Sequence, residues 1–211
     1  MPVDEPLYPV NLRLAGQRCL VVGGGTVALQ KVRGLLEVGA SVHVIAPDVL
    51  PAIDELDGVS VEHRGYACGD VVGHRLAIAA TRDAKVNQAV FDDGVATGVW
   101  VNSADDPDRC TFTLPARIRR GPLLVTVATG GHSPAVATWL RGRLEAELGP
   151  EYEALLGLVA ETRAELRADG IATEGLAWQE ALDSGMLELV REGHLAEAKE
   201  RLQACLSSSS G

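Results

Sequence analysis

Three short stretches of this chain hold residue types and spacings that could do chemistry. Gly23-Gly24-Gly25-Thr26-Val27-Ala28 fits the pattern GxGxxA through Gly23, Gly25 and Ala28. In such a loop the first glycine permits a tight turn, the second lets the backbone approach a pyrophosphate, and the small alanine allows close helix–strand packing. Free amides of a helix opening at Thr26 and Val27 would face the phosphates. A glycine-rich turn with no ligand is the bland alternative. Thr129-Gly130-Gly131-His132-Ser133-Pro134 is a second glycine loop ahead of a helix, whose amides could receive a carboxylate. It also reads as a plain helix start, with Ser133 as N-cap and Pro134 in the first helical position. Between the two loops lies Asp105-Asp106-Pro107-Asp108. Taken alone, that run reads first as a solvated acidic turn.

The elements that must position these residues follow from the apolar pattern. Strands are predicted at 18–22, 41–46, 59–63, 75–80 and 99–102, with helices from the glycine loop to about Val38 and from about Asp83 to Asp93. Strands alternating with helices indicate an α/β, Rossmann-type parallel sheet with helices on both faces. The second strand ends without Asp or Glu, and Pro47-Asp48 follows. Asp48 could reach the adenosine ribose hydroxyls or serve as the N-cap of the next helix, the second being the preferred reading. No arginine follows that strand, which favours NAD over NADP.

Two β-type runs, 111–119 and 123–129, flank Gly121-Pro122 and predict a hairpin. Val136, Leu140, Leu144 and Leu148 then recur every fourth residue as one helical stripe. Helices marked by Tyr152, Leu155, Leu156, Val159 and Leu166, and two or three shorter ones, run to Leu206. The expected division is a cofactor-binding domain at 1–113, a strand-rich dimerisation segment at 114–149, a helical C-terminal domain at 150–206 and a disordered tail at 207–211.

The net charge of −10 argues against nucleic-acid binding and requires a locally basic site for any anionic ligand. No apolar stretch approaches the roughly 18 residues of a membrane span, and the N-terminus does not resemble a secretory signal. A cytoplasmic protein with no membrane attachment is expected. Cys19, Cys68, Cys110 and Cys205 form no CxxC pair, and the five histidines show no paired spacing, so reduced cysteines and no metal site are expected.

In four ordered stretches the chain resembles the precorrin-2 dehydrogenases, including the N-terminal part of siroheme synthases. These are Val21-Val22-Gly23-Gly24-Gly25-Thr26-Val27-Ala28 with Lys31, Ala79-Ala80-Thr81 with Val86-Asn87, Val101-Asn102-Ser103-Ala104-Asp105 with Cys110 and Phe112, and Thr129-Gly130-Gly131-His132-Ser133-Pro134. The resemblance implies NAD-dependent oxidation of precorrin-2 to sirohydrochlorin by a homodimer, with Asp105 as the proton acceptor and Asp106 its nearest rival. It places Gly23, Gly24, Gly25, Thr26, Val27, Pro47, Asp48, Thr81 and Asn102 at the cofactor. Thr129, Gly130, Gly131, His132 and Ser133 would meet the substrate. Precorrin-2 is a polycarboxylate, and of Arg117, Arg119, Arg120, Arg141 and Arg143, Arg117 and Arg120 are assigned to it. Cys110 is expected to be structural.

A short-chain dehydrogenase is disfavoured, because Tyr8, Tyr66 and Tyr152 all lack a lysine four residues on. An NAD-sensing regulatory module remains an alternative of another class. Within the family, members differ in whether they also insert ferrous iron; dehydrogenation is expected as the main activity, with chelation slower or absent.

Overall fold

Four consecutive residues of β1 (Arg18–Val22) are buried, and they alternate between faces: Cys19 and Val21 enter one apolar cluster, Leu20 and Val22 another. A strand with both faces buried needs layers on both sides, which is the physical requirement of a parallel sheet. The computed structural model describes residues 6–104 and 106–207. β1 lies at the centre of a five-stranded sheet with β2 (Ser41–Ile45), β3 (Val59–Glu62), β4 (Leu76–Ala79) and β5 (Trp100–Ser103). The order is β3-β2-β1-β4-β5 and every pairing is parallel. Helices α1 (Thr26–Leu36) and α2 (Pro51–Asp54) cover one face through Val32, Leu35 and Ile53. Helix α3 (Ala84–Thr97) covers the other through Val90. Gly94 of α3 is required by that packing, since a Cβ there would strike Val101 of β5.

The chain forms two compact units. The first holds residues up to Leu114 together with Thr129–Ser133; the second holds Pro115–Ala128 and the chain from Pro134 on. In the second unit β6 (Ala116–Arg120) and β7 (Leu123–Val127) form an antiparallel hairpin, turned by Gly121 at φ 52°. Its first strand is shorter than the expected 111–119. Residues 110 and 111 are occupied elsewhere: Cys110 bridges Asn102 antiparallel to β5, and the Thr111 amide donates to the Val101 carbonyl at 2.7 Å. Phe112 packs against the sheet cluster of the first unit.

Helix α4 (Pro134–Glu147) packs on β6 and β7 and is followed by α5 (Glu151–Ala168), α6 (Trp178–Asp183), α7 (Met186–Arg191) and α8 (Leu195–Ser207). Leu158, Met186, Leu189, Leu202 and Leu206 form the core of α5–α8. Lys199 reaches Glu161 at 2.9 Å and Glu165 at 2.7 Å, and Arg191 reaches Glu151 at 2.9 Å, tying α8 and α7 to α5. Ser207 closes α8 instead of joining a tail; residues 208–211 lie outside the described part. The predicted stripe on α4 is not buried within one chain. Of the stripe, Val136 is 45% exposed and Leu140, Leu144 and Leu148 are half-buried; Ala137 alone is buried on that helix, and Trp139, off the stripe, is 58% exposed.

Candidate cofactor site

At the carboxyl ends of β1, β2 and β4 the chain turns away on both sides of β1, and this switch point is where open α/β sheets bind ligands. A cleft of about 590 Å³ opens there, lined by Gly24, Gly25, Thr26, Val27, Ala46, Pro47, Asp48, Ala80, Thr81, Arg82 and Ala104. The three glycines have separate duties. Gly23 sits at φ 124°, and a Cβ on it would collide with the Ala80 carbonyl. A Cβ on Gly24 would collide with the Asp48 carbonyl and reach Val49 Cα at 2.7 Å. Gly25 has ordinary extended angles, and nothing lies within 4 Å of its would-be Cβ. So Gly23 and Gly24 serve packing, while the bare face of Gly25 is turned to open space, where a ligand can approach the backbone.

Helix α1 begins immediately afterwards, with its first intrahelical bond from Leu29 N to Gly25 O at 2.9 Å. The amides of Thr26, Val27 and Ala28 precede that bond and carry the positive end of the helix dipole. Ala28 is fully buried, as close helix–strand packing needs. This cradle fits a dinucleotide pyrophosphate: open, glycine-floored and rimmed by the amides that open α1.

Asp48 and Pro47 are exposed on the β2 side of the cleft. The preferred expectation that Asp48 caps the next helix fails. The N-cap of α2 is Leu50, without a side-chain cap, and the Leu50 amide is drawn to the Gly24 carbonyl at 2.9 Å. Asp48 is thereby left facing the cleft, where a ribose hydroxyl could be met.

On the β4 side, the Thr81 hydroxyl lies 2.7 Å from Asn87 Oδ1, and Asn87 Nδ2 donates back to the Thr81 carbonyl at 3.1 Å. Asp83 caps α3 by accepting from Lys85 N at 2.8 Å. Arg82, between them, lines the cleft and was not singled out from the sequence. The available signal was a basic residue just beyond a strand that neighbours β1.

Asn102 does not line the cleft. Its amide donates to the Phe112 carbonyl at 3.0 Å and to Cys110 Sγ at 3.4 Å, which fastens the end of β5. Cys110 also receives the Ser103 amide at 3.3 Å, and burial pushes its thiol pKa up, against a smaller opposing pull from the Ser103 backbone and Lys31. A raised pKa disfavours the thiolate, the form of cysteine that reacts. Asp105 lies outside the described residues. The rival Asp106 is ion-paired with Arg109 across one turn.

The second glycine loop belongs to the same unit as the sheet. Gly130 and Gly131 take φ 57° and 77°, two consecutive left-handed residues that only glycine adopts readily. His132 is exposed, its Nδ1 3.0 Å from the Thr129 carbonyl, and Thr129 Oγ1 meets the Ser133 carbonyl at 3.2 Å. In the second unit, Arg117 is exposed on β6. The Arg120 guanidinium is engaged at the C-terminal end of α4, donating from Nε to Leu148 O at 2.8 Å and from Nη2 to Glu145 O at 3.4 Å. That use suits a cation at a helix C-terminus. Among the described residues, no group of three His, Cys, Asp or Glu side chains could hold a metal ion, and no helix is long and apolar enough to cross a membrane.

The chain is similar to the siroheme synthase of Chromobacterium violaceum, at 38% identity over 93% of this chain and 43% of that protein. It is similar to the siroheme synthase of Pseudomonas putida (strain F1) at 39% identity, over 95% of this chain and 44% of that protein. The chain thus spans less than half the length of the curated relatives it matches. Among solved structures it is similar to SirC, precorrin-2 dehydrogenase, with a TM-score of 0.75 and 26% identity, covering 94% of this chain and 98% of the other. A family model described as "Putative NAD(P)-binding" matches residues 10–116, about half of the chain, and the protein belongs to that NAD(P)-binding family.

Proposed function

We propose that this chain is a dehydrogenase that oxidises precorrin-2 to sirohydrochlorin with NAD. The observation that carries the reading is the glycine-floored cleft at the switch point, in a chain that matches nearly the whole of a precorrin-2 dehydrogenase. The nicotinamide cofactor, when bound, supplies the hydride acceptor. The protein holds it through the backbone of Gly24, Gly25, Thr26 and Val27, with Gly23 shaping the turn and Thr81 closing the far wall. Asp48 supports NAD over NADP, because a carboxylate pairs with ribose hydroxyls and repels a 2′-phosphate. Asn102 acts at one remove by fixing the strand end from which Asp105 follows.

Oxidation removes two electrons and two protons from the macrocycle, one proton leaving within the hydride. Asp105 takes the other. The amides of Gly130 and Gly131 receive a substrate carboxylate, in a loop held in shape by the bonds of Thr129 to His132 and Ser133. Arg117 offers a second carboxylate contact, and Arg120 supports the α4 end from which such contacts are built. We assign the working protein to a homodimer, because the exposed Val136 and Trp139 on α4 need a cover. Among the described residues the cysteines form no disulfide, which suits the cytoplasm.

The test is anaerobic incubation of the protein with precorrin-2 and NAD, followed by absorbance. Sirohydrochlorin and NADH are expected in equal amounts. Saturable NAD binding with no affinity for the tetrapyrrole would instead support a sensor module.

A further inference from the structure

We infer that Arg82 grips the pyrophosphate of the nucleotide, a role that rests on the cofactor reading of the cleft. Among the described residues lining it, Arg82 is the one cation and Asp48 the one anion. They stand on opposite sides of the glycine loop, because β1 lies between β2 and β4 in the sheet. The arginine backbone is held on both sides, by Thr81 bonded to Asn87 and by Asp83 at the start of α3. Its own charge is unpaired among the described residues, and the neighbouring Asp83 carboxylate accepts from the Lys85 amide.

A pyrophosphate carries two negative charges, and a helix N-terminus offers only about half a positive one. The protein as a whole, at −10, repels an anion. A local guanidinium corrects both deficits and can bind phosphate oxygens in a bidentate fashion. A 2′-phosphate is the less suitable target, since it belongs on the β2 side, where Asp48 stands.

Calorimetric titration of the full chain with NAD, ADP-ribose and NADP tests the assignment. Arg82→Gln should weaken NAD and ADP-ribose alike by about 10- to 100-fold, the range for losing a charged hydrogen bond. It should also flatten the salt dependence of NAD binding, and Arg82→Lys should recover part of the affinity. Gly25→Val serves as the control that blocks the cradle. Should wild-type protein fail to bind NAD, the cofactor reading itself is lost. Should wild type bind, Gly25→Val fail, and Arg82→Gln bind as wild type does, Arg82 alone is excluded. A loss confined to NADP would overturn the pyrophosphate assignment in favour of the 2′-phosphate.

Discussion

The Thr81 hydroxyl and the side-chain oxygen of Asn87 lie 2.7 Å apart, joining the end of β4 to the first turns of α3. Asn87 is 8% exposed and returns a bond to the Thr81 carbonyl, so a buried side chain is satisfied by a residue on the cleft wall. Asn87→Ala should therefore cost about 0.5–1.5 kcal/mol of stability, the net worth of an intramolecular hydrogen bond, since the cleft-facing Thr81 keeps its bonds to Asp83. Urea unfolding of the two proteins measures it.

Glycine substitutions in the first loop should separate folding from binding. Gly25→Val should keep the fold and lose NAD, because the added atoms enter open cleft space. Gly24→Ala should lower the melting temperature, because its Cβ meets the Asp48 carbonyl. Circular dichroism melts beside NAD titrations would show the contrast, and equal NAD affinity in Gly25→Val would remove this loop from the site.

Replacing the assigned proton acceptor should slow chemistry while sparing cofactor binding. Asp105→Asn is expected to reduce precorrin-2 oxidation by about 100-fold, the low end for a positioned general base. Asp106→Asn should lose the ion pair to Arg109 but little turnover. The reverse pattern in steady-state rates would move the base by one residue.

Light scattering at micromolar concentration should report a homodimer. The expected interface includes the β6–β7 hairpin and the exposed face of α4, since an open two-stranded ribbon and an uncovered Trp139 call for a partner surface. Trp139→Glu should shift the population toward monomer.

Acid should weaken the sheet unit through His74. Burial, together with Arg18 and His43 nearby, holds the His74 pKa below its ordinary value. The unfolded chain then binds the extra proton more readily, so stability falls as pH drops through the ordinary histidine range near about 6.5. Asp70, beside Arg64, and Asp93, accepting from Tyr66, have lowered pKa values. Their contribution is present above the ordinary carboxylate range and is lost only in stronger acid. Urea midpoints from about pH 7.5 to 5.5 should decline in wild type and flatten in His74→Gln.

The central strands were legible because β1 and β4 are runs of apolar residues, while β2 is bounded by Gly39 and Pro47. The glycine loop was legible because its spacing encodes a backbone path. Partners distant in sequence were not. Thr111 has β-type chemistry, but Val101 claims it, which shortens the hairpin strand. Asp48 looks like a helix cap, but the Gly24 carbonyl pulls in the Leu50 amide, and the helix starts later. Arg82 escaped notice because its importance depends on strand order, with β4 next to β1 across an intervening crossover. The α4 stripe was read correctly as a pattern, yet burial within one chain does not follow from it.

The chain visits its two units alternately: sheet, hairpin, second glycine loop, then helices. This path sets a schedule for synthesis. Residues 1–114 can leave the ribosome with all five sheet strands present, yet that unit is still missing Thr129–Ser133 until the whole hairpin has emerged. At roughly 5–20 residues per second, the gap lasts about a second or more. During that interval a nascent sheet has its first glycine loop but not its second. A stalled or truncated product ending in the hairpin would thus hold the whole five-stranded sheet and its first glycine loop without the segment that completes the unit.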